Sequence, residues 1–258
     1  MKPLALITGA SGGIGLAIAR LLAASGHDLI LVARSQGKLE ALAAELAAAH
    51  GCRATVLTAD LADPAAPAAL AAEIASRNLA VDVLVNNAGV GLYGPFAGSD
   101  WKRERDMIQI NVTSLVDLTK RLLPGMIARG RGRILNLAST AAFQPGPLMA
   151  IYYASKAFVL SFSEALGNEL GGSGITVTAL CPGPTATGFE AAADLGASRL
   201  FRFGTMSMED VARVGVDAMM RGRAVVIPGL RNRLMTQSLR ISPRFAVTRL
   251  VRWIQERA

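Results

Sequence analysis

Short apolar runs alternate with longer segments rich in alanine, leucine and glutamate along most of the chain. Runs of β-branched and aliphatic residues are typical of strands that are buried on both faces. The predicted strands are residues 4–8, 28–32, 53–58, 81–85, 133–137, 176–180 and 224–227. The predicted helices lie near residues 14–25, 36–49, 65–77, 101–129, 150–170 and 208–221. This order predicts an α/β fold with a doubly wound, seven-stranded parallel sheet, helices on both faces, and a ligand site at the carboxyl ends of the strands.

The length of 258 residues suits one α/β domain with a full core, because such folds run to about 250 residues. Hydrophobic residues make up 52% of the chain and charged residues 18%, which excludes a disordered chain. We expect residues 1–229 to form this domain. Residues 230–258 follow the last predicted strand, and we expect a basic, helical extension that is not a separate domain.

Most of the formal net charge of +8 comes from one end of the chain. Residues 230–258 contain seven arginines and one glutamate, which supply +6 and leave +2 for the rest. A nearly neutral body without a recognisable nucleic-acid-binding module argues against a nucleic-acid partner.

The two cysteines, Cys52 and Cys181, stand far apart, which favours reduced thiols over a disulfide framework. His27 and His50 belong to no cluster with the spacing of metal ligands, so we expect no metal. The first apolar run is too short for a signal peptide, and no run reaches the length that spans a bilayer. We therefore expect a cytoplasmic protein.

A glycine-rich turn, residues 8–15 with the sequence Thr-Gly-Ala-Ser-Gly-Gly-Ile-Gly, directly follows the first predicted strand. Glycine lets a backbone approach a phosphate closely, and the N–H groups at a helix start attract negative charge. A tight strand-to-helix turn also needs glycine, so the string alone is a weak signal. Its T-G-x-x-x-G-x-G spacing resembles the short-chain dehydrogenase/reductase family, whose Rossmann-type fold agrees with the predicted sheet. The resemblance implies that Gly9, Gly13, Ile14 and Gly15 line the pyrophosphate and ribose of a nicotinamide dinucleotide.

The residues after the second predicted strand bear on the choice of cofactor. NAD-binding members carry an acidic residue at this place, whereas this chain has Ala33, Arg34 and Ser35. Arginine offers phosphate a planar, permanently charged fork, so Arg34 favours the 2′-phosphate of NADP(H), with Ser11 as a further hydroxyl donor. The alternative for Arg34 is a solvated surface charge.

Further matches follow in the family's order along the chain. By resemblance, Asp60 and Leu61 flank the adenine, and the run Asn86-Asn87-Ala88-Gly89 supports the sheet and the ribose side of the cofactor. The two asparagines could equally serve only to tie neighbouring strands together.

Tyr152 and Lys156 are four residues apart, so on a helix they share one face. A nearby ammonium should lower the pKa of the phenol from its usual value of about 10, which would make Tyr152 a better acid and base near neutrality. By resemblance, Lys156 also binds the nicotinamide ribose, Ser139 holds the substrate oxygen, and Asn111 positions a water that relays protons. Tyr153 is three residues from Lys156, and the family spacing selects Tyr152.

The segment after the sixth predicted strand, Pro-Gly-Pro-Thr-Ala-Thr at residues 182–187, resembles the family segment that covers the nicotinamide. An ordinary proline-glycine turn is the alternative. The residues expected to contact the cofactor here are Pro182, Gly183, Thr185 and Thr187. The resemblance covers about residues 3–228, so it implies that residues 1–229 form a dinucleotide-binding catalytic domain.

An apolar segment follows, with aromatic, leucine and methionine side chains at Phe189, Leu195, Leu200, Phe201, Phe203, Met206 and Met208. Such a lid indicates a hydrophobic ketone or alcohol as substrate, although these side chains could simply pack on the domain.

Two interpretations of the extension stay open. Val247, Leu250, Val251 and Ile254 predict one apolar stripe on a helix, which could pack on the domain or on a partner subunit. Alternatively, the arginines and Trp253 would give a peripheral contact with an anionic membrane.

Two function classes also stay open beside the enzyme: a non-catalytic NADP(H) sensor or scaffold on this fold, and the disfavoured nucleic-acid binder. Family members are frequently dimers or tetramers, so we expect a homo-oligomer that acts on a small-molecule carbonyl or alcohol.

Overall fold

The structure of the protein, a computed structural model, describes residues 2–189, 193 and 204–256. Seven strands form one parallel sheet: Leu4–Thr8 (β1), Asp28–Ala33 (β2), Ala54–Thr58 (β3), Val83–Asn86 (β4), Gly132–Leu137 (β5), Ile175–Leu180 (β6) and Val225–Val226 (β9). Their order is β3-β2-β1-β4-β5-β6-β9, and two short strands outside this sheet, Thr185–Ala186 (β7) and Met206–Ser207 (β8), precede β9 along the chain. The predicted seven-stranded parallel sheet is confirmed. Because β1 lies between β2 and β4, the strand order reverses there, and ligands of such sheets bind at that point.

Helices cover both faces of the sheet, as predicted. Their bounds are Gly13–Ala24 (α1), Gln36–His50 (α2), Ala66–Ser76 (α3), Trp101–Ile108 (α4), Ser114–Arg129 (α5), Ala150–Glu169 (α6), Met208–Met220 (α7), Leu230–Ser238 (α8) and Arg244–Gln255 (α9). One core cluster joins α1, α2 and α7 to the sheet, with Ile18 and Met219 fully buried. The second joins α3 and α5 to the other face through Leu70 and Leu118.

A chain of buried polar side chains crosses the second core layer. Asn86 on β4 donates from Nδ2 to Thr119 Oγ1 and to Asn136 Oδ1, each at 2.9 Å. Asn136 on β5 in turn donates to Ser163 Oγ on α6 at 2.9 Å. Asn86 and Asn136 are register partners of the β4–β5 pair. The interpretation of Asn86 as a residue that ties strands together therefore agrees with the geometry.

The predicted helix 101–129 consists of three pieces. A π-helical turn, Gln109–Thr113, separates α4 from α5. The hydrophobic period, on which the prediction was based, did not reveal this interruption. A π turn inserts an extra residue into the helix and often marks a functional position. Here it contains Asn111, which is buried.

One further element was not predicted: a short two-stranded pairing joins Thr185–Ala186 (β7) to Met206–Ser207 (β8). Helix α8 follows β9 in the extension that was expected to be helical. Two-residue strands lie below the length at which alternation can be recognised.

The C-terminal helix α9 packs on its own domain. Val247 and Val251 belong to a buried cluster with Met149 and Tyr153. The predicted apolar stripe is wrong at one position, since Leu250 is 56% exposed and the buried face instead ends in Gln255. The buried face of α9 is rotated relative to the predicted stripe, because the Gln255 side-chain amide donates a hydrogen bond inside the protein.

Candidate active site

The glycine-rich turn lies at the carboxyl end of β1 and leads into α1. Gly9 and Gly13 have φ angles of +67° and +55°, which residues with a side chain rarely adopt. Helix α1 begins at Gly13, and neither a capping side chain at Gly12 nor an acidic residue in the first turn occupies its start. The backbone N–H groups at this helix start have the arrangement by which helix N-termini bind anions.

Asn87, at the end of β4, holds this turn in place. Its Nδ2 donates to Thr8 O at 2.9 Å and to Gly9 O at 3.2 Å. A Cβ on Gly15 would overlap both Gly9 O and Asn87 Nδ2, and one on Gly9 would lie 2.7 Å from Asn87 Nδ2. Close packing inside the protein thus already requires glycine at 9 and 15, and their contact with a cofactor stays a prediction.

Thr8 is a site residue that the sequence reasoning missed, although it is the first letter of the motif. Its Oγ1 accepts hydrogen bonds from the N–H groups of Asn87 and Ala88, both at 3.0 Å, and donates to Val85 O. The hydroxyl therefore fixes the loop after β4 against the glycine-rich turn.

Arg34 lies just beyond β2, next to the turn in the strand order. It is exposed, and it has no ion pair or hydrogen bond with any described residue. Ser11 in the turn is half-buried. An arginine without a protein partner at this edge fits the predicted 2′-phosphate contact.

Asp60 and Leu61 follow β3 at the same edge of the sheet. Asp60 is exposed, and its Oδ1 accepts from Ala62 N at 3.0 Å. The Leu61 side chain is buried, and its carbonyl accepts from Ser114 Oγ at 2.8 Å. These contacts fix the loop whose predicted partner is the adenine.

Ser139, Tyr152 and Lys156 come together beyond the end of β5. Lys156 Nζ lies 5.8 Å from the centre of the Tyr152 ring and donates to Leu137 O at 2.7 Å. The Ser139 hydroxyl donates to Pro182 O at 3.4 Å, accepts from Ala141 N at 3.1 Å and is close enough to the Tyr152 phenol to influence its pKa. A hydroxyl, a phenol and an ammonium thus converge, which suits proton transfer to an oxygen.

Burial sets the ionisation of this group of side chains. It raises the pKa of Tyr152 to about 12, and the neighbouring Ser139 hydroxyl lowers it only in part. It also lowers the pKa of Lys156 to about 8. The expectation that Lys156 brings the phenol pKa below its usual value is wrong in this geometry, because desolvation by burial dominates and raises that pKa.

Asn111 ties the loop after β4 to α6. Its Oδ1 accepts from Val90 N, and its Nδ2 donates to Val90 O, both at 2.9 Å; Nδ2 also donates to Ser155 Oγ at 3.1 Å. A Cβ on Gly89 would lie 3.3 Å from both Asn111 Oδ1 and Lys156 Nζ. Asn111 therefore adjoins Lys156, while its predicted role with a relay water remains a prediction.

Tyr153 is directed away from this group and is buried beside α9. Its hydroxyl accepts a hydrogen bond from Gln255 Nε2 at 2.6 Å, and burial raises its pKa. The geometry thus agrees with the family spacing, which selected Tyr152.

The segment after β6 packs on the glycine-rich turn. Thr187 side-chain atoms lie 3.2 Å from the position of a Cβ on Gly13. Thr185 Oγ1 donates to Gly183 O at 2.9 Å, and Pro182 O accepts from Thr140 N at 2.8 Å. The segment thus borders both the turn and the strand that leads to Ser139.

Part of the predicted lid is described. Phe189 is half-buried, with its ring centre 5.3 Å from that of Tyr152. Met206 and Met208 instead pack against the first core cluster. Leu195, Leu200, Phe201 and Phe203 lie outside the described residues.

The residues at this edge fit a dinucleotide. The helix start and the left-handed glycines suit a pyrophosphate, and no described atom lies within 4 Å of a Cβ placed on Gly12.

Within the described ranges, no three His, Cys, Asp or Glu side chains are grouped as a metal site requires. No described helix has the length and hydropathy that crossing a bilayer requires.

Comparisons with known proteins give one consistent result. A family model described as short chain dehydrogenase matches residues 3–196. The ketoacyl reductase HetN of Nostoc is 33% identical over 96% of this chain and 88% of that protein. A very-long-chain 3-oxoacyl-CoA reductase of Phaeosphaeria nodorum is 42% identical, over 67% of this chain and 52% of that protein. A short-chain dehydrogenase from Sphingobium yanoikuyae, solved in complex with NADPH, has a TM-score of 0.83 and 35% identity over 95% of this chain and 97% of that one.

Proposed function

The chain belongs to the short-chain dehydrogenase family, and from that premise we propose that it is an NADP(H)-dependent oxidoreductase acting on a carbonyl or alcohol. The observation that carries the proposal is the convergence of Ser139, Tyr152 and Lys156 at the end of β5. A sensor or scaffold on the same fold has no need of these three side chains together, so that alternative is not favoured.

We propose that the cofactor lies along the carboxyl ends of the strands. The residues that would hold it are Gly9, Ser11, Gly13, Ile14, Gly15, Arg34, Asp60, Leu61, Asn87, Ala88, Gly89, Tyr152, Lys156, Pro182, Gly183, Thr185 and Thr187. When bound, the nicotinamide supplies or accepts the hydride. The protein contributes orientation, placement of charge and exclusion of water.

In this proposal Ser139 holds the substrate oxygen and Tyr152 exchanges a proton with it. With a pKa of about 12, the phenol is protonated at neutral pH and is ready to donate a proton to the oxygen as a carbonyl is reduced. The Lys156 ammonium, 5.8 Å from the ring centre, stabilises the negative charge that develops on the phenol. Asn111 keeps the neighbouring loop in place and positions the water that returns a proton.

The test is NADPH oxidation against a panel of ketones, with Tyr152→Phe as the diagnostic variant. General acid–base catalysis contributes about 10²- to 10⁴-fold, so turnover should fall by at least about 10²-fold. NADPH affinity should change little, because the ring and Lys156 remain. Tyr153→Phe is the matched control and is assayed with the shortest ketones of the panel, which do not reach the Tyr153 side chain. Binding of NADPH without turnover of any ketone by the wild type would favour the sensor.

We propose that the substrate is a hydrophobic or amphipathic ketone or its alcohol. The support is the apolar surface beside the catalytic phenol, where Tyr93, Phe189 and Met149 belong to one cluster with Tyr152. Such surfaces favour apolar ligands because burial removes them from water. A higher kcat/KM for small sugars than for apolar ketones would refute this substrate class.

We further propose that the protein works in the cytoplasm and contacts an anionic membrane through residues 230–256. The two C-terminal helices keep apolar side chains exposed beside arginines, among them Leu230, Leu234, Phe245 and Trp253. Arg249 lies over the Phe245 ring at 5.9 Å, so cationic and apolar groups share the outer face of α9.

Flotation with anionic vesicles tests this contact. Phe245→Ser and Trp253→Ser should abolish co-flotation, whereas Phe96→Ser, at an exposed aromatic residue outside the extension, should not. Equal binding by all the variants, or none by the wild type at low salt, would refute it. Neutral vesicles should bind less because the arginines lose their attraction.

We propose that the chain forms a homo-oligomer. Exposed Phe158 on α6 stacks on Phe162 at 6.0 Å, which leaves an aromatic pair at the surface. Sedimentation of the wild type and Phe158→Ser measures the assembly, and a monomeric wild type would refute it.

A further inference from the structure

Gln255, the last residue of α9, places a polar side chain in the buried cluster beside the candidate active site. Its exposure is 0%, and its Nε2 donates to the Tyr153 hydroxyl at 2.6 Å. The same nitrogen lies 3.6 Å from Met149 Sδ, and the main-chain carbonyl of Gln255 accepts from the Tyr93 hydroxyl at 2.9 Å. One residue of the extension thus joins side chains from the loop after β4 and from the start of α6.

These partners adjoin the catalytic phenol. The Tyr153 ring meets the Tyr152 ring edge to face, with centres 6.0 Å apart and planes at 75°. Tyr93 packs on the same cluster as Tyr152, and its N–H donates to Ala193 O in the segment after β6. A shift of Gln255 would therefore move the surface against which a substrate lies next to Tyr152.

The stability of the fold alone does not account for an amide at this position. Gln255 Oε1 is buried and finds no hydrogen-bond partner among the described residues. A buried side-chain carbonyl without a partner destabilises a protein, so an apolar side chain of the same size at 255, together with phenylalanine at 153, would serve the fold as well or better. The amide therefore has its value in the contact that Nε2 makes with the Tyr153 hydroxyl.

We infer that Gln255 is a positioning residue that sets the substrate side of the active site by fixing Tyr153 and Tyr93. The inference rests on the proposed function and names the residue that determines which ketones the site accepts. Ketones long enough to reach this wall depend on its position, whereas the shortest ketones contact only the reacting group and its immediate surroundings.

The experiment replaces Gln255 by methionine, which keeps the length of the side chain and removes the hydrogen bond. Gln237→Met, on the exposed surface of α8, is the matched control. Thermal stability, NADPH affinity, and kcat and KM for a series of linear ketones of increasing length are measured on all variants. We expect Gln255→Met to keep the wild-type Tm and NADPH affinity. The ratio of kcat/KM for the longest ketone to kcat/KM for the shortest ketone should change by about tenfold or more, because small displacements in a site have large kinetic effects. Gln237→Met should leave the series unchanged.

Tyr153→Phe removes the acceptor of the same hydrogen bond and keeps the inference testable if Gln255→Met folds poorly. Because the two changes break one contact, the double variant should shift the selectivity no more than either single variant. An unchanged dependence on ketone length, or an equal loss for all ketones, would overturn the role of Gln255. A wild-type chain that reduces no ketone would instead refute the proposed function.

Discussion

Gly15→Ala tests whether the glycine-rich turn is required by the protein itself. A Cβ at this position would overlap the Gly9 carbonyl oxygen and the Asn87 amide nitrogen. The Gly9 contact is with backbone, which cannot rotate away, so one of the hydrogen bonds from Asn87 must lengthen.

The expected cost follows from two opposing effects. Overpacking a close-packed site costs about 1–3 kcal/mol. Alanine in a helix regains about 1 kcal/mol relative to glycine. Because the added Cβ would lie far inside contact distance of the Gly9 carbonyl oxygen, the upper part of the overpacking range, about 2–3 kcal/mol, applies. A net destabilisation of about 1–2 kcal/mol remains, which for a chain of this size lowers Tm by about 2–8 °C.

The assay is thermal and urea unfolding without cofactor, with Gly37→Ala as the matched control. Gly37 also lies in the first turn of a helix, α2, but no described atom is within 4 Å of its added Cβ. Gly37→Ala should therefore raise stability by about 0.5–1 kcal/mol. If Gly15→Ala kept the wild-type Tm and lost only NADPH affinity, the packing argument would be refuted, and the glycine would serve only the approach of the cofactor.

Three further predictions concern cofactor choice, pH and the core. Arg34→Asp should raise the KM for NADPH by about tenfold or more and lower the KM for NADH, because a charge-assisted hydrogen bond to the 2′-phosphate contributes about 1.5–3 kcal/mol. Initial rates with both cofactors measure this, and an unchanged cofactor preference would refute the contact. The pKa of Lys156 is lowered to about 8, so between about pH 8 and its usual range the unfolded chain binds more protons and stability rises with pH. Lys156→Met should therefore be more stable than the wild type at pH 7 by a margin that shrinks toward pH 9.5, and a constant margin in urea unfolding would contradict this. Asn86→Ala should lower the free energy of unfolding by about 1–3 kcal/mol because Asn136 Oδ1 loses its donor, and a neutral effect would show that the network is dispensable.

Much of the fold could be predicted because buried parallel strands leave a strong signal. All seven predicted strands exist, with bounds that differ by up to two residues at either end. The π turn at Gln109–Thr113 could not be predicted, since it keeps the helical period nearly unchanged. The rotation of α9 was missed because its buried position is polar: Gln255 counts as solvent-facing in any hydrophobic pattern.

The site residues could be predicted where a family motif falls at the carboxyl end of a predicted strand or on the helix that follows it. Ser139, Tyr152 and Lys156 converge as expected, because the ends of strands and the following helix meet at one edge. The direction of the Tyr152 pKa shift was not predictable, because it depends on how far the fold excludes water. Tyr93 and Gln255 carry no local signal, since their contact joins positions 162 residues apart.

The amide pair between the two central strands has a consequence for how the sheet assembles. Asn86 and Asn136 face each other only in the native alignment of β4 with β5. A slip by one residue would turn one amide toward the opposite layer and leave both without partners in an apolar interior. The two amides thus raise the free energy of folding intermediates in which β4 and β5 are misaligned. Aliphatic side chains of equal size would not discriminate against such intermediates in this way.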